Sequence, residues 1–391
     1  MSLTGRDIVC FSTHYWDERW FRKQEFMSRF ARANRVLFVE PSFSMARRPE
    51  AHLRDTATNR LLLTKLDSRG DRVHLLKPPR RLPKPRNPRI DQLTHRWYAR
   101  LVRRAMERLG FRDAILWVYQ PSYLHALDTI PHERLVFDLV DDLAAYGGDE
   151  NPHAPYVEAL VRGLVERSDL LVVTAKTLRD RYGSSARWVE HIPNGFDAGL
   201  FSPERIRGEP GPLAGLPRPI LGFIGTFFPF IDYELLEDVA ALHADKSVVL
   251  VGPVEATATE AVGRLVRFPN VLHVGGQPRA LIPSYVAAFD VCLNPFRKSR
   301  IADSVNPLKV YEYLAMGRPV VSTPMEALRM EDAGSEVAFA DGVAEFSREI
   351  EVCLSDRSEE GEQRRRETAA PYSWEQLFER LDRACSSALA A

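Results

Sequence analysis

One feature limits most how this chain can fold: short apolar runs alternate with longer amphipathic stretches almost from end to end. That rhythm builds βα units, in which each strand of a parallel sheet is followed by a helix that crosses back over it. Residues 7–12 read as a first strand. A helix over about 19–33 follows, with Phe21, Phe26 and Phe30 along one face. Residues 35–41 form the next strand, closed by Pro41. Buried strands are then predicted at 114–119, 135–140 and 170–174.

The rhythm breaks once, between Ile192 and Pro219, where Pro193, Pro203, Pro210, Pro212, Pro217 and Pro219 fall close together. Proline fixes φ and removes backbone donors, so the stretch reads as an interdomain linker. Beyond it strands are predicted at 220–225, 248–251, 271–275, 291–295 and 320–323, and helices at 233–243, 281–289, 307–316 and 343–354. A last helix over 373–389, capped by Ser373, carries Trp374, Leu377, Leu381 and Ala384 at helical spacing. With 391 residues, the expectation is an α/β chain of two doubly wound, Rossmann-like halves.

Composition closes off other classes. A 45% hydrophobic content excludes a disordered chain, and 53 Lys+Arg against 53 Asp+Glu leaves no whole-molecule charge to attract nucleic acid. Cys10, Cys292, Cys353 and Cys385 form no ligand-spaced cluster, so no metal site is expected and a reducing compartment is. No signal-like segment opens the chain. The longest apolar stretch, 220–230, is broken by Gly222, Gly225 and Pro229 and falls short of the ~20 residues of a membrane span. A cytoplasmic protein is expected. The neutral total conceals an imbalance: twelve Lys/Arg between Lys77 and Arg112 face only Asp91 and Glu107. The second half of that segment, with Ile90, Leu93, Trp97, Leu101, Val102 and Met106, reads as an amphipathic helix with a basic face. It suits an anionic membrane surface; a solvated helix face is the plainer alternative, and nucleic acid a third.

In doubly wound folds ligands gather at the carboxyl ends of the strands. The richest segment there runs from Ser304 through Asn306-Pro307-Leu308-Lys309-Val310-Tyr311-Glu312 to Gly317. Asn306 is placed to cap a helix, Pro307 to open it and Gly317 to end it. Lys309 and Glu312 share a face near the helix start, where free N–H groups and the helix dipole favour a diphosphate, and Glu312 is placed to accept from ribose hydroxyls. A capped helix with a surface Lys–Glu pair is the plainer reading of the same spacing. Gly225-Thr226 permits close backbone approach to a ligand. At the end of the 135–140 strand, Asp141 and Asp142 are candidate bases for an acceptor hydroxyl; after the first strand, His14 is another.

The string from Asn306 to Val321 resembles the donor-binding helix of GT-B glycosyltransferases, above all bacterial family 4 enzymes and the related teichuronic-acid and exopolysaccharide transferases. Val173-Thr174-Ala175-Lys176 with His191-Ile192-Pro193-Asn194-Gly195-Phe196-Asp197, and Tyr372-Ser373-Trp374-Glu375, resemble the same family's domain junction and final crossover helix. The resemblance implies an acceptor-binding domain over 1–200, completed by the crossover helix at about 373–391. A donor-binding domain over 201–370 would face it across a cleft. It implies transfer from a nucleoside-diphosphate sugar to a saccharide or lipid-linked acceptor in cell-surface polysaccharide or glycoconjugate synthesis, with no metal or other cofactor. Donor contacts would come from Gly225, Thr226, Gln277, Asn306, Pro307, Leu308, Lys309 and Glu312, with Arg297 or Lys298 on the diphosphate. Two departures stand out. Retaining members carry a glutamate where this chain has Ser304, with Asp303 one residue away, and basic residues where this chain reads Gly225-Thr226-Phe227-Phe228-Pro229-Phe230. An epimerase of the same fold, or an inactive member serving as a membrane-associated module, are the alternatives.

Overall fold

A computed structural model describes residues 2–17, 20–41, 65–70, 72–78, 88–146, 151–356 and 358–390. The chain divides into two compact units. The first comprises Met1–Thr174, Leu178–Ile192 and Phe378–Ala391; the second comprises Ala175–Thr177 and Pro193–Leu377.

The first unit holds an eight-stranded sheet: β1 (Asp7–Phe11), β2 (Arg35–Val39), β3 (Lys65–Arg69), β4 (Val73–Lys77), β5 (Ile115–Val118), β6 (Arg134–Leu139), β7 (Leu170–Val173) and β8 (Val189–His191). Its order is β3-β4-β2-β1-β5-β6-β7-β8, and every neighbouring pair is parallel except β3–β4. β1 and β5 are wholly buried, as strands covered by helices on both faces must be. Winding reverses at β1, which pairs β2 on one side and β5 on the other, so a topological switch point opens beside it.

The second unit holds six parallel strands: β9 (Ile220–Ile224), β10 (Ser247–Val251), β11 (Val271–Gly275), β12 (Val291–Asn294), β13 (Val320–Ser322) and β14 (Val337–Phe339). Their order, β11-β10-β9-β12-β13-β14, puts the switch point between β9 and β12.

The proline-rich stretch is not a free linker. Phe196, Phe201 and Leu213 are buried in the second unit's core with Ile220, Val249, Tyr311 and Tyr372. The Phe196 N–H donates to the Tyr372 carbonyl at 3.1 Å, and the Trp374 N–H donates to the Phe196 carbonyl at 2.9 Å. The division therefore falls at Ile192/Pro193, not at 200/201. The terminal helix Trp374–Ala390 is shared: residues through Leu377 pack with the second unit and Phe378 onward with the first, where Phe378 meets Phe30 at 4.9 Å. The β3–β4 hairpin was not expected, because Lys65–Arg69 offers one apolar residue and no alternation. Among the described residues no helix is long and apolar enough to cross a membrane.

Candidate functional site

At the second unit's switch point the structure places one side chain where the fold favours a ligand. Lys309 lies in the first turn of the helix Leu308–Ala315. Its ammonium sits 4.4 Å from the centre of the Phe223 ring, on β9, and 4.8 Å from that of Phe296, just after β12. A Cβ on Gly225 would come within 3.1 Å of the same nitrogen. Lys309 Nζ makes no hydrogen bond or ion pair among the described residues. Burial pulls it down to about 7, against a smaller opposing pull from Glu312. Two ring faces hold the cation without neutralising it.

The backbone around Lys309 is built for close approach. Gly225 and Gly252 have φ of +143° and +149°, and a Cβ on Gly252 would meet the Gly225 carbonyl oxygen at 1.7 Å. The Gly225 N–H donates to the Val251 carbonyl at 2.9 Å, and that of Gly252 to the Gly275 carbonyl at 2.9 Å. The carboxyl ends of β9, β10 and β11 are thereby laced together without side chains between them. Thr226 is half-buried beside Gly225.

Glu312 lies one turn beyond Lys309 and is 8% exposed. Burial pushes its carboxyl up to about 7, while Arg279 and Lys309 pull it down and Asp197 pushes it further up. Its carboxylate accepts no hydrogen bond among the described residues, leaving both oxygens for a ligand's donors.

Asn306 departs from the expected cap. Its Oδ1 accepts from the Asn194 N–H at 3.0 Å, its carbonyl accepts from Asn194 Nδ2 at 2.8 Å, and its own Nδ2 donates to the Tyr311 hydroxyl at 2.8 Å. Pro307 takes the cap position and no side chain caps the helix, so the helix start stays open for an anion. Pro307 is buried and Leu308 half-buried. Gln277, after β11, turns its Nε2 back onto the Val274 carbonyl at 3.2 Å.

Arg297 and Lys298 are not gathered with Lys309. Arg297 reaches Glu234 at 4.0 Å, Lys298 pairs with Asp341, and both line a separate cavity of about 400 Å3 with Asp232 and Asp238. Phe296 faces Lys309, while Arg297 and Lys298 reach Glu234 and Asp341. Ser304 is buried with its hydroxyl donating to the Ile301 carbonyl at 2.9 Å, and Asp303 is exposed. Sequence reasoning did not single out Gly252, Arg279 or Asp197; the glycine directly after the β10 apolar run was the readable signal.

In the first unit Asp141 and Asp142 follow β6 and separate in character. Asp142 is buried and ion-paired with Arg181 at 2.6 Å, and Arg181 also holds Glu158 at 3.0 Å. Asp141 accepts from the Tyr146 hydroxyl at 2.8 Å. Burial pushes its carboxyl up to about 6, Tyr146 and Lys23 oppose the rise, and Asp142 adds to it. Lys23, 4% exposed in the helix Arg22–Phe30, stands 4.9 Å over the Tyr119 ring, while its neighbour Arg22 grips Asp138 at 3.0 and 3.1 Å. His14 follows β1, with Nδ1 2.9 Å from the Thr13 hydroxyl and its ring 4.8 Å from Phe21.

Residues 218–356 match the family described as Glycosyl transferases group 1. A protein of Bacillus subtilis (strain 168) described as a teichuronic acid biosynthesis glycosyltransferase, TuaH, is 25% identical over 278 residues, covering 68% of this chain and 70% of its own. Sucrose-phosphate synthase from Thermosynechococcus elongatus superposes with a TM-score of 0.74 at 14% identity, over 98% of this chain and 99% of its own. Alr3699/HepE from Anabaena, solved with UDP, gives 0.65 at 14% identity over 97% and 100%. The chain has the GT-B fold of these glycosyltransferases, and its residues 218–356 match the group 1 glycosyl transferase family.

Proposed function

We propose that this chain moves a glycosyl group from a nucleoside-diphosphate sugar to the hydroxyl of a saccharide or lipid-linked acceptor in cell-surface polysaccharide or glycoconjugate synthesis. It would work in the cytoplasm, in peripheral contact with the membrane. One observation carries the reading: an ammonium without a counter-ion, held between two rings at the β9–β12 switch point, at an uncapped helix start and beside a glycine-only strand end. That arrangement is complementary to a diphosphate. Glu312 would accept from the ribose hydroxyls. The Anabaena structure with UDP, and the E. coli structure bound with UDP-2-fluoro glucose, support a nucleotide-sugar donor.

In transfer, the bond from the sugar's anomeric carbon to the diphosphate oxygen breaks and one to the acceptor oxygen forms. The diphosphate leaves with the electron pair, its charge balanced by Lys309 and the open helix start, so this route needs no metal. In a direct displacement the hydroxyl proton goes to Asp141, the better base of the pair, because Asp142 is tied to Arg181.

The test is turnover. Released nucleoside diphosphate is measured with a panel of nucleotide sugars and saccharide or lipid-linked acceptors, in wild type and Asp141→Asn. The expected result is acceptor-dependent release that falls roughly 10²–10⁴-fold in the variant with nucleotide affinity unchanged. Epimerisation of the donor without acceptor, or tight nucleotide binding with no turnover on any acceptor, would contradict it.

A further inference from the structure

The helix Pro88–Leu109 is fixed on one side and unusual on the other. On its inner face Asp91, His95, Tyr98, Ala99, Val102, Ala105 and Met106 are buried. The Tyr156 hydroxyl donates to Asp91 at 2.8 Å, His125 Nε2 lies 2.9 Å from that hydroxyl, and His95 stands 3.1 Å from Asp91. This buried polar chain pins the helix to the helix Ala154–Arg167 and to the segment Pro121–Thr129, so the outer face is presented in one orientation.

That outer face mixes cations with large apolar side chains. Ile90, Leu93 and Trp97 are 45%, 66% and 37% exposed, and their spacing puts them on one stripe. Arg89, Arg96, Arg100, Arg103, Arg104 and Arg108 are exposed on the same arc, with Glu107 the one exposed acid among the helix residues. Arg96, Arg100, Arg104 and Arg108 form no ion pair among the described residues, and Glu107 pairs with Arg103 at 3.4 Å. Arg80, Arg81, Lys84 and Arg86 of the same basic run lie outside the described residues.

We propose that this outer face docks the first unit onto an anionic phospholipid surface. The arginine forks would take lipid phosphates, and Ile90, Leu93 and Trp97 would enter the boundary between headgroups and acyl chains. Guanidinium groups match phosphate oxygens two at a time, and Trp favours that boundary because one end is apolar and the other polar. The choice of partner follows from the mixture. A nucleic-acid backbone would satisfy the arginines and leave Leu93 and Ile90 against phosphates. A second copy of the same face would set six arginines against six. A charged leaflet satisfies both halves, which is the two-signal arrangement that firm interfacial binding needs. The inference names the face behind the membrane contact in the preceding reading but uses none of its donor chemistry, so nucleotide binding serves as the independent control.

The full chain is floated with vesicles of phosphatidylcholine alone and of equal parts phosphatidylcholine and phosphatidylglycerol. Flotation with the second and not the first is expected. Arg96→Gln, Arg100→Gln and Arg104→Gln should each weaken it roughly fivefold. Leu93→Ser with Trp97→Ala should weaken it by about tenfold or more at unchanged charge. All should keep the wild-type circular dichroism and nucleotide response. Quenching of tryptophan fluorescence by brominated lipid should be stronger in wild type than in Trp97→Phe. Failure to float with anionic vesicles, flotation unaffected by the apolar double variant, or a dimer in light scattering that Leu93→Glu dissociates, would overturn the proposal.

Discussion

Charge placement separates the proposed working residues from the structural ones. Asp141, pushed up to about 6 by burial, is the free base only above that value. Turnover should therefore fall about tenfold per pH unit below 6. Tyr146→Phe removes a donor that opposes the rise, so the acid limb of the pH–rate profile should move to higher pH; an unmoved limb would detach Asp141 from the reaction. Lys309 and Glu312 make the opposite bargain with stability. The folded chain holds Lys309 near 7 rather than 10.5, so its penalty is full below about 7 and is relieved as pH rises toward 10.5. Glu312 sits near 7 rather than 4.5, so its penalty is absent below 4.5 and full above 7. Both act around neutrality, and the double variant Lys309→Met/Glu312→Gln should be stabilised by about 2 kcal/mol at pH 7 in calorimetry while losing nucleotide binding. Part of this arrangement was legible: the Lys–Glu spacing predicted that both side chains share a face near a helix start, and they do. Asn306 was not, since a cap and a tie to Asn194 look the same in sequence and only the fold brings residue 194 to it. Nor was the Arg181 partner that distinguishes Asp142 from Asp141.

Elements show why the strand ends beside Lys309 tolerate so little change. Gly252→Ala would drive a Cβ into the Gly225 carbonyl at a φ that alanine rarely adopts, and should destabilise the chain by about 3 kcal/mol or more and remove the nucleotide response. Gly263, in the helix Thr259–Leu265, has nothing within 4 Å of its ideal Cβ, and Gly263→Ala should stabilise by about 0.5–1 kcal/mol. Chemical denaturation of the two variants checks the contrast; equal effects would mean that the tight packing of Gly252 on Gly225 does not matter. The central strands were legible because burial on both faces demands continuous apolar runs. The β3–β4 hairpin and the short β8 and β14 were not, for three to five residues at a sheet edge carry no period. Proline density was misread as a linker because proline marks a stiff chain whether or not Phe196 and Phe201 are buried beneath it.

At the scale of the molecule, each unit carries its own switch point and its own chemistry. The first unit holds, after β6, a half-buried carboxylate with a raised proton affinity; the second holds, at its switch point, an unneutralised cation at an open helix start. The two-half architecture was readable from the interrupted βα rhythm. The excess of basic residues between Lys77 and Arg112 was readable as a number, though only the fold showed which of them share a face with Leu93 and Trp97. The most direct test is a thermal-shift panel of nucleoside diphosphates and their sugars on wild type, Glu312→Ala and Lys309→Met. Ligand at about a hundredfold its Kd adds about 2.7 kcal/mol, enough for a shift of several degrees. One nucleotide series should stabilise wild type by that amount, and both variants should lose the response. No shift with any nucleotide, or a shift that both variants retain, would contradict the donor site at Lys309 and Glu312.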